Sequence, residues 1–364
     1  MRRFNPLIVK IMSLLFLVLC FMIPVDMVRD LIRDRQFYQS QVEQELTQST
    51  SGEQTIAAPI LVVPYQLVEG KTRTEQRLIV LPEQLNIDGQ VQVSPLKRAI
   101  YTFQTFQSTT ALTGHFSRAP LQALRAKKGV TLGTPFLAVG VSDARGLGKS
   151  EPFTWAGKRY TFSAGTQLHA LPNGMHAALP LSDWDIAGSA PRSLSIELNV
   201  NGSSRISYVP LGENTQVTLA GNWPHPKFAG STVTQTRNVM PQGFNASWQS
   251  NWFANNLNTT LPSIENSTAN GGNGSIEQLY RIDTDLIQTV DHYQLNERMA
   301  KYSMLFIGLT FLAFFMFEVL RHLRVHPLQY ALVGVALTVF FVLLLSLSEH
   351  MGFNKAYALV ATAC

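Results

Sequence analysis

The sequence is poor in cysteine, and its two cysteines lie near the ends of the chain. Cys20 falls in an apolar run near the N-terminus, and Cys364 is the last residue. The long middle section, residues 29–300, has none, which excludes disulfide bonds as a source of its stability. That section must be stabilised by a hydrophobic core, and a segment of this length is long enough to build one.

The sequence also lacks the short motifs that mark common enzyme classes. It contains no GxSxG elbow, no HExxH pair, no P-loop and no dinucleotide-binding glycine fingerprint. The glycine-rich segment 271–274 has no strand leading into a helix around it, so it is typical of a loop. We therefore predict no enzymatic activity, no cofactor and no metal site.

Basic residues are in excess, with 29 Lys and Arg against 24 Asp and Glu, but the excess does not lie in the middle section. Seven of the basic residues flank apolar runs, whereas only three of the acids lie outside residues 29–300. The middle section is nearly neutral and has no basic patch of the kind that binds a phosphate backbone. A nucleic-acid partner is not expected.

What the sequence does contain is three long apolar runs: Ile11 to Val25, Met304 to Leu320, and Leu328 to Leu347. The last two have the roughly 17–25 residues that a membrane-spanning helix needs. Basic residues precede the first run and fill the short turn after Leu320, which marks both places as cytoplasmic. We predict a multi-pass protein of a bacterial inner membrane, with its N-terminus in the cytoplasm and residues about 29–300 in the periplasm.

The runs divide the chain into four segments. Residues 1–28 form an anchor, which lacks a small-residue cleavage site and is expected to stay uncleaved. An amphipathic stalk helix at 29–50 precedes a periplasmic β-rich domain at 51–300, in which the polar stretch 255–275 is predicted to be a flexible loop. The C-terminal helices occupy 301–364, with spans at 304–320 and 328–347 and the start of another at 356.

Within the middle section the apolar pattern changes to a period of two. Ile60 to Val63 is a short buried run between two prolines, and the alternation from Leu194 to Val200 predicts a strand. The Asn201-Gly202 dipeptide that follows predicts a hairpin turn. Short strands broken by Gly and Pro favour an antiparallel β-sandwich. The expected fold class is an α+β membrane protein with a sandwich-like β domain between one N-terminal and several C-terminal transmembrane helices.

Glu318 is the first residue with a possible functional role, because an ionisable side chain in a membrane segment marks a functional site by default. It precedes Arg321 and His322 by three and four residues, so the preferred interpretation is that it pairs with them at the membrane surface.

His326, Gln329 and Tyr330, in the segment HPLQY, are candidates for a binding elbow. The preferred alternative is that Pro327 begins the next helix and that Tyr330 anchors this helix at the lipid headgroups.

Glu349 and His350 are the residue types of a metal site or an acid/base pair. They lie about 20 residues beyond Gln329, or roughly 30 Å along a helix, so they cannot share a site with Glu318 and His326. A site at the periplasmic face, completed by a residue of the exported domain, remains open.

Four aromatic and imidazole residues of the middle section are further candidates. Trp223 and His225 lie in a proline-rich turn, and Trp248 and Trp252 are four residues apart. We expect the tryptophans to pack on the core. The alternatives are a ligand site at the turn and a sugar- or peptide-binding platform on the tryptophans.

Several long motifs resemble one family throughout the chain. They are QSTSGEQ at 48–54, VSDARGLG at 141–148, NWPHPKF at 222–228, QGFNASWQSNWFANNL at 242–257, HPLQYALVG and LLLSLSEHMGF. The chain resembles the CreD family of inner-membrane proteins, also described as colicin-tolerance or cell-envelope-integrity proteins. The resemblance implies a large periplasmic domain between one N-terminal helix and a group of C-terminal helices. It also implies a stress-responsive role in envelope integrity and in tolerance of colicins and β-lactams, without an established reaction. Family members continue with further helices, so the chain is expected to be truncated or a fragment.

Three functional hypotheses follow. The preferred one is a non-enzymatic envelope protein with membrane lipids and a cell-wall component or envelope protein as partners; the oligomeric state is left open. The second is a transporter or pore component. The third is a membrane hydrolase acting at the periplasmic face through Glu349 and His350.

Overall fold

The structure, a computed structural model, describes residues 6–49, 51–98, 101–149, 151–181, 192–273, 275, 278–286, 292–321 and 325–363. The chain divides into two compact units. The helical unit comprises Met1–Glu45, Arg98–Tyr101 and Gln288–Cys364, and the β-rich unit comprises Leu46–Lys97 and Thr102–Ile287.

The described helices differ widely in length. They are α1 (Pro6–Ser49), α2 (Ala119–Arg125), α3 (Trp252–Asn255), α4 (Leu257–Ala269), α5 (His292–Arg321), α6 (Pro327–Met351) and α7 (Phe353–Ala363). Among them α1, α5 and α6 are long and apolar enough to cross a membrane. Most of their apolar side chains point outward, and a small core of Phe21, Val25, Ile307, Phe311 and Tyr330 joins them. Apolar side chains on the outside of a helical unit are what a lipid environment accommodates.

The described strands form two sheets. The strands are β1 (Gln54–Glu69), β2 (Thr72–Val80), β3 (Gln84–Arg98), β4 (Tyr101–Phe116), β5 (Val130–Leu132), β6 (Phe136–Val141), β7 (Phe153–Trp155), β8 (Lys158–Tyr160), β9 (Ser163–Ala164), β10 (Gly174–Ala178), β11 (Arg192–Ser203), β12 (Arg205–Tyr208), β13 (Asn214–Gly221), β14 (Pro226–Gly230), β15 (Thr236–Met240), β16 (Gly243–Asn251) and β17 (Ile282–Leu286). The first sheet has the order β14-β17-β12-β1-β6-β10-β9, with β2 and β5 also paired to β1. The second sheet has the order β15-β16-β13-β3-β4-β11-β7-β8.

The two sheets pack face to face over one core. Tyr208 of the first sheet shares a hydrogen bond of 2.8 Å with Thr110 of the second, and burial raises the pKa of this tyrosine. Phe228 of the first sheet meets the edge of Trp248 of the second, with ring centroids 5.5 Å apart. The expected fold class, a β-rich domain between apolar helices, is thereby confirmed.

The first sheet is buried on both faces at its centre. Consecutive residues of β1 and all residues of β6 are buried, although neighbouring side chains in a strand point to opposite faces. Tyr208 and Val141 both align with Ile56, so these three face the second sheet. Gly140 points the other way, and a side chain there would meet Leu171 at 3.1 Å. The segment around Leu171 therefore covers the far face.

The second sheet is covered on one face only. Along β11 the residues alternate strictly between buried and exposed, from Leu194 to Val200. The buried side chains join the common core, and the exposed ones form an outer face open to solvent. Such alternation is the pattern of a sheet with one wet side.

Two expectations about the strands of the β-rich unit are corrected. The sheets are mixed, because β1 pairs in parallel with β12 and β3 with β13. The Asn201-Gly202 dipeptide is not a hairpin turn but lies within β11, where Gly202 is required because a side chain would meet Phe106 at 2.5 Å. The chain turns at Ser204, with φ of 63°, and passes there from the second sheet to the first.

The predicted flexible loop at 255–275 contains a helix instead. The 13-residue α4 buries Leu257, Leu261 and Glu265, which recur every four residues and so share one helix face. The Asn and Thr residues between these three give the segment the composition of a loop, so its helical periodicity was not recognised in the sequence. The polar residues occupy the solvent side of the helix.

Candidate functional site

Glu318 lies in a buried polar cluster within the helical unit. Glu318 is 7% exposed, and its carboxylate pairs with Lys10 of α1. The carboxylate also accepts hydrogen bonds from the Tyr330 hydroxyl at 3.0 Å and from the Val325 N–H at 3.2 Å. Lys10 also donates to the Val325 carbonyl at 2.9 Å. The cluster ties the beginning of α1 to the end of α5 and the beginning of α6. A buried carboxylate is tolerated when its charge and lone pairs are satisfied in this way.

The expected pairing of Glu318 with Arg321 and His322 at the membrane surface is not what the structure shows among the described residues. The structure instead turns it inward towards Lys10, which lies 308 positions away in the chain; His322 lies outside the described residues.

Tyr330 is corrected in the same way. Its ring is 2% exposed and meets the edges of Phe311 and Phe314, at centroid distances of 5.7 and 6.3 Å. It therefore contacts α5 and Glu318, and it is not on the outer surface where a headgroup anchor would lie.

His326 and Gln329 cap the start of α6. The His326 Nδ1 accepts a hydrogen bond from the Leu328 N–H, and the Gln329 Oε1 accepts one from the His326 N–H, both at 3.2 Å. Pro327 is the first residue of the helix, as predicted. The capping exchange satisfies backbone donors that a helix start leaves open.

Glu349 and His350 lie at the other end of α6. Glu349, with its side chain 11% exposed, forms an ion pair of 3.7 Å with Arg35 of α1. His350 is exposed, and its Nδ1 lies 3.3 Å from the Ser346 carbonyl of its own helix. Among the described residues no three His, Cys, Asp or Glu side chains cluster as metal ligands would.

The aromatic candidates of the β-rich unit serve its packing. Trp248 in β16 is 0% exposed, so its ring offers no face to a ligand. Trp252 begins α3 and donates from Nε1 to the Leu211 carbonyl at 3.1 Å. Trp223 is half-buried against the core and meets His225, which is exposed, edge to face with centroids 6.5 Å apart.

Asp143 stabilises the turn that leads from the first sheet to the second. Its carboxylate accepts from the Arg145 N–H at 3.0 Å and from the Arg145 guanidinium at 2.6 Å. The hydrogen bond from this guanidinium holds the pKa of Asp143 below its ordinary value. A further bond, from the Gly52 N–H at 3.3 Å, ties the start of the first sheet to the same carboxylate.

Sequence reasoning missed one wide surface feature, the outer face of the second sheet, which we call the polar face. Arg159 of β8, which aligns with Thr154 of β7 and through it with Ser195, is exposed at one edge of this face. Along its five central strands, taken on β3 from Gln84 to Gln92, the exposed side chains among the described residues are mostly amides and hydroxyls, with two carboxylates and no Lys or Arg. They are Gln84, Asn86, Asp88, Gln90 and Gln92 of β3; Gln107, Thr109, Ala111, Thr113 and His115 of β4; Ser193, Ser195, Glu197, Asn199 and Asn201 of β11; Asn214 and Gln216 of β13; and Asn245, Gln249 and Asn251 of β16.

The strand register aligns these side chains in rows across the sheet. Gln249, Gln216 and Asn86 are directly paired on three adjacent strands. Thr109 donates to the side chain of its neighbour Asn199 at 2.9 Å. The signal that predicts such a face is present in the sequence, because the polar positions of the period-two pattern are themselves almost free of charge.

A depression of about 490 Å³ lies on the polar face. Gln90 and Gln92 of β3 and Gln107 and Thr109 of β4 form its floor, and Met240 stands at its rim. A second depression, of about 410 Å³, lies beside β1 and β2, but its polar groups bind one another. There the Tyr65 hydroxyl donates to the Gln76 side chain at 2.5 Å, and the Arg77 guanidinium donates to the Gln167 carbonyl at 2.6 Å.

Solved structures offer only weak similarity. An M1 zinc metallopeptidase from Deinococcus radiodurans, bound to a Tyr-Ser-Ala substrate, matches 47% of this chain and 39% of its own at 10% identity, with a TM-score of 0.23. A second structure of an M1 zinc metallopeptidase from that organism matches 47% of this chain and 38% of its own at 9% identity, with a TM-score of 0.22. Similarity at this level carries no argument about fold or activity.

Sequence comparison is decisive where structure comparison is not. The family model for the inner membrane protein CreD matches residues 6–364. The inner membrane protein CreD of Escherichia coli K12 is 39% identical over 365 residues, which cover 98% of this chain and 79% of that protein. The resemblance seen in the motifs is confirmed, and the chain belongs to the CreD family of inner membrane proteins.

Proposed function

We propose that this inner membrane protein is a non-catalytic component that supports the integrity of the cell envelope and its tolerance of stress, colicins and β-lactams. In this proposal the helices anchor the protein, and the β-rich unit interacts with envelope material. The observation that carries the proposal is that side chains with catalytic potential are used to hold the fold. Glu318 is bound by Lys10, Glu349 pairs with Arg35, and His326 caps α6. A general base needs its lone pair free for substrate.

The proposed topology places the N-terminus in the cytoplasm and residues about 29–300 in the periplasm. It is supported by the basic residues ahead of α1 and in the turn after α5. Gln92→Cys, made in a background without Cys20 and Cys364, tests it with a membrane-impermeant maleimide. The expected result is labelling in cells whose outer membrane has been permeabilised. Labelling that requires lysis of the inner membrane would contradict the topology.

Deletion of the gene tests the role in the envelope. We expect the deletion strain to become sensitive to detergents and β-lactams and to change its response to colicins, with recovery when the full chain is supplied. Unchanged behaviour towards all three agents would remove the support for the proposal. The double variant Glu349→Gln/His350→Gln, which keeps a side-chain oxygen opposite Arg35 but removes the acid/base pair, is expected to restore the strain as well as the unaltered chain does. Failure of this folded variant would favour the hydrolase hypothesis.

A transporter or pore component is the second candidate, and one observation favours it. The ion pair of Glu318 with Lys10 is partly buried among apolar helices, and charged groups in such places often belong to ion or proton pathways. Purified protein in liposomes would be assayed for proton and cation flux, alongside Glu318→Gln. Flux that this substitution abolishes would support transport, whereas no flux from the unaltered protein would count against it.

A further inference from the structure

The polar face differs from an ordinary exposed sheet surface in its lack of charge. Designed soluble domains are given surfaces that are roughly 25–35% Lys, Arg, Glu and Asp, because these charges keep a protein in solution. Here the outward side chains of five adjacent strands, taken on β3 from Gln84 to Gln92, are mostly Asn, Gln, Ser and Thr, with Asp88 and Glu197 as carboxylates; the exposed Leu96 and Lys97 lie beyond them, towards the end of β3. Uncharged side chains over so wide an area remove the usual source of solubility, so this surface calls for a ligand-based explanation.

The composition excludes several kinds of ligand. The described residues that line the depression include no Lys or Arg, and Arg159 lies on β8 at the edge of the sheet, so the face has no cluster of cations to neutralise a phosphate backbone or anionic lipid headgroups. Of the aromatic, Met and Arg side chains that are enriched at protein–protein interfaces, the described lining of the depression contains Met240 and the buried Phe244. A neutral and strongly hydrogen-bonding ligand remains.

The hydrogen-bonding capacity of the face fits such a ligand. Each Asn or Gln side chain offers two N–H donors and a carbonyl acceptor, and each sugar hydroxyl both donates and accepts. Gln90, Gln92 and Gln107 lie together in the floor of the depression, so adjacent strands present amides side by side. N-acetylated sugars carry amides of their own, which complement these groups directly.

An apolar side chain and a side chain fixed by hydrogen bonds also line the depression. Met240 is 46% exposed there and provides a contact for the C–H face of a sugar ring. Asn222, also in the lining, is fixed because its side chain accepts from the Val93 N–H at 2.7 Å and donates to the Val93 carbonyl at 3.1 Å. A site held in place before binding loses less entropy when the ligand arrives.

We propose that the polar face binds the glycan strands of the cell wall, an uncharged chain of N-acetylated sugars, across the depression floored by Gln90, Gln92, Gln107 and Thr109. This inference rests on the proposed function, because it needs the β-rich unit to lie in the periplasm. It names the envelope material that the unit contacts.

The test uses full-length protein in a detergent without a sugar headgroup. Binding of an N-acetylglucosamine hexamer is measured by calorimetry, and binding to isolated cell-wall sacculi is measured by sedimentation. The test variant is Gln90→Ala/Gln107→Ala, and the matched control is Gln66→Ala/Gln122→Ala, which removes two exposed glutamines elsewhere. Thermal unfolding of both variants verifies that they fold.

We expect the unaltered protein and the control to bind both probes, with the test variant about tenfold weaker because two amides are lost. Raising the salt concentration should leave binding unchanged, since no charge is involved. Absence of binding, equal affinities of test and control variants, or a steep salt dependence would overturn the inference. A photocrosslinker at Gln92 that captures protein instead of glycan would also overturn it.

The two proposals fail separately. If the deletion strain loses envelope tolerance and the protein binds no glycan, the envelope role stands and the glycan site is wrong. If glycan binds through the polar face and the deletion strain behaves normally, the glycan site stands and the envelope role is wrong.

Discussion

The two sheets of the β-rich unit share one core but differ in what covers them. At the centre of the first sheet both faces are buried, so β6 is apolar throughout and β1 contains a continuous apolar run from Ile60 to Val63. In the second sheet only one face is buried, and β11 alternates between apolar and polar residues. The sequence pattern of a strand therefore reports how many of its faces are covered.

The comparison also separates stability from function within one unit. Neither face of the first sheet is free at its centre to evolve a binding surface, because every side chain there contributes to packing. The side chains on the outer face of the second sheet do not pack in the core, so they are available to bind a ligand.

The largest effect is expected from neighbouring residues on a covered strand. Ile60 and Leu61 are both 0% exposed, so Ile60→Ala and Leu61→Ala should each cost roughly 2–5 kcal/mol. On the second sheet, Leu198→Ala should cost a similar amount, but its neighbour Asn199→Ala less than about 0.5 kcal/mol. Thermal midpoints of the full-length protein in detergent measure all four. A large loss from Asn199→Ala would show that the outer face is also structural.

The second effect concerns carboxylates. Glu265 is 2% exposed and accepts hydrogen bonds from the His169 N–H at 3.0 Å, the Ala170 N–H at 2.8 Å and Arg77 at 3.2 Å. Glu265→Ala leaves these donors without an acceptor and should cost roughly 2–3 kcal/mol. The matched change on the polar face, Glu197→Ala, should leave the midpoint unchanged. Glu265 lies in α4 and binds Arg77 of β2, so equal shifts would erase the distinction between the covered first sheet and the polar face.

The third prediction concerns Gly202 in β11, which lies close to the beginning of β1 at Gln54. A side chain at Gly202 would come within 2.5 Å of Phe106 and 2.8 Å of Gln54, so Gly202→Ala should cost roughly 1–3 kcal/mol through overpacking. Gly308→Ala in α5 is the control, because a side chain there meets nothing within 4 Å. Comparable midpoints for the two variants would argue against the close approach at Gly202.

The smallest effect concerns pH at the turn between the sheets. The pKa of Asp143 is lowered by Arg145, so its stabilising contribution is complete above the ordinary value of 3.8 and is lost as the pH falls through the lowered pKa. Asp143→Asn should lower the midpoint at neutral pH, and the gap should close below about pH 4. Midpoints measured across this range check the sign. A gap that widens in acid would refute it.

Local sequence patterns predicted the helices and strands whose formation depends on residues close together in the chain. The apolar runs after Met304 and Leu328 indicated α5 and α6, because length and hydropathy are sufficient for a membrane span. The alternation from Leu194 indicated the strand β11. These signals are carried by a single segment and need no partner.

Features that depend on distant partners were not predictable in this way. The partner of Glu318 lies 308 positions away, and the parallel pairing of Gln54 with Ile206 joins segments that no local pattern connects. The Asn201-Gly202 dipeptide has the local chemistry of a turn, but the partner strand β4 continues beside it as far as Thr105. Tertiary pairing overrides turn propensity there.

The position of β17 has a consequence for the order of assembly during synthesis. The first sheet is complete only when Ile282–Leu286 pairs with β12 and β14, and His292 begins α5 only six residues later. At about 5–20 residues per second, the ribosome needs roughly ten to fifty seconds to proceed from β1 to β17. During that interval the first sheet around the apolar run of β1 is incomplete, because its last strand has not yet been synthesised. This strand is therefore where a chaperone would be needed most.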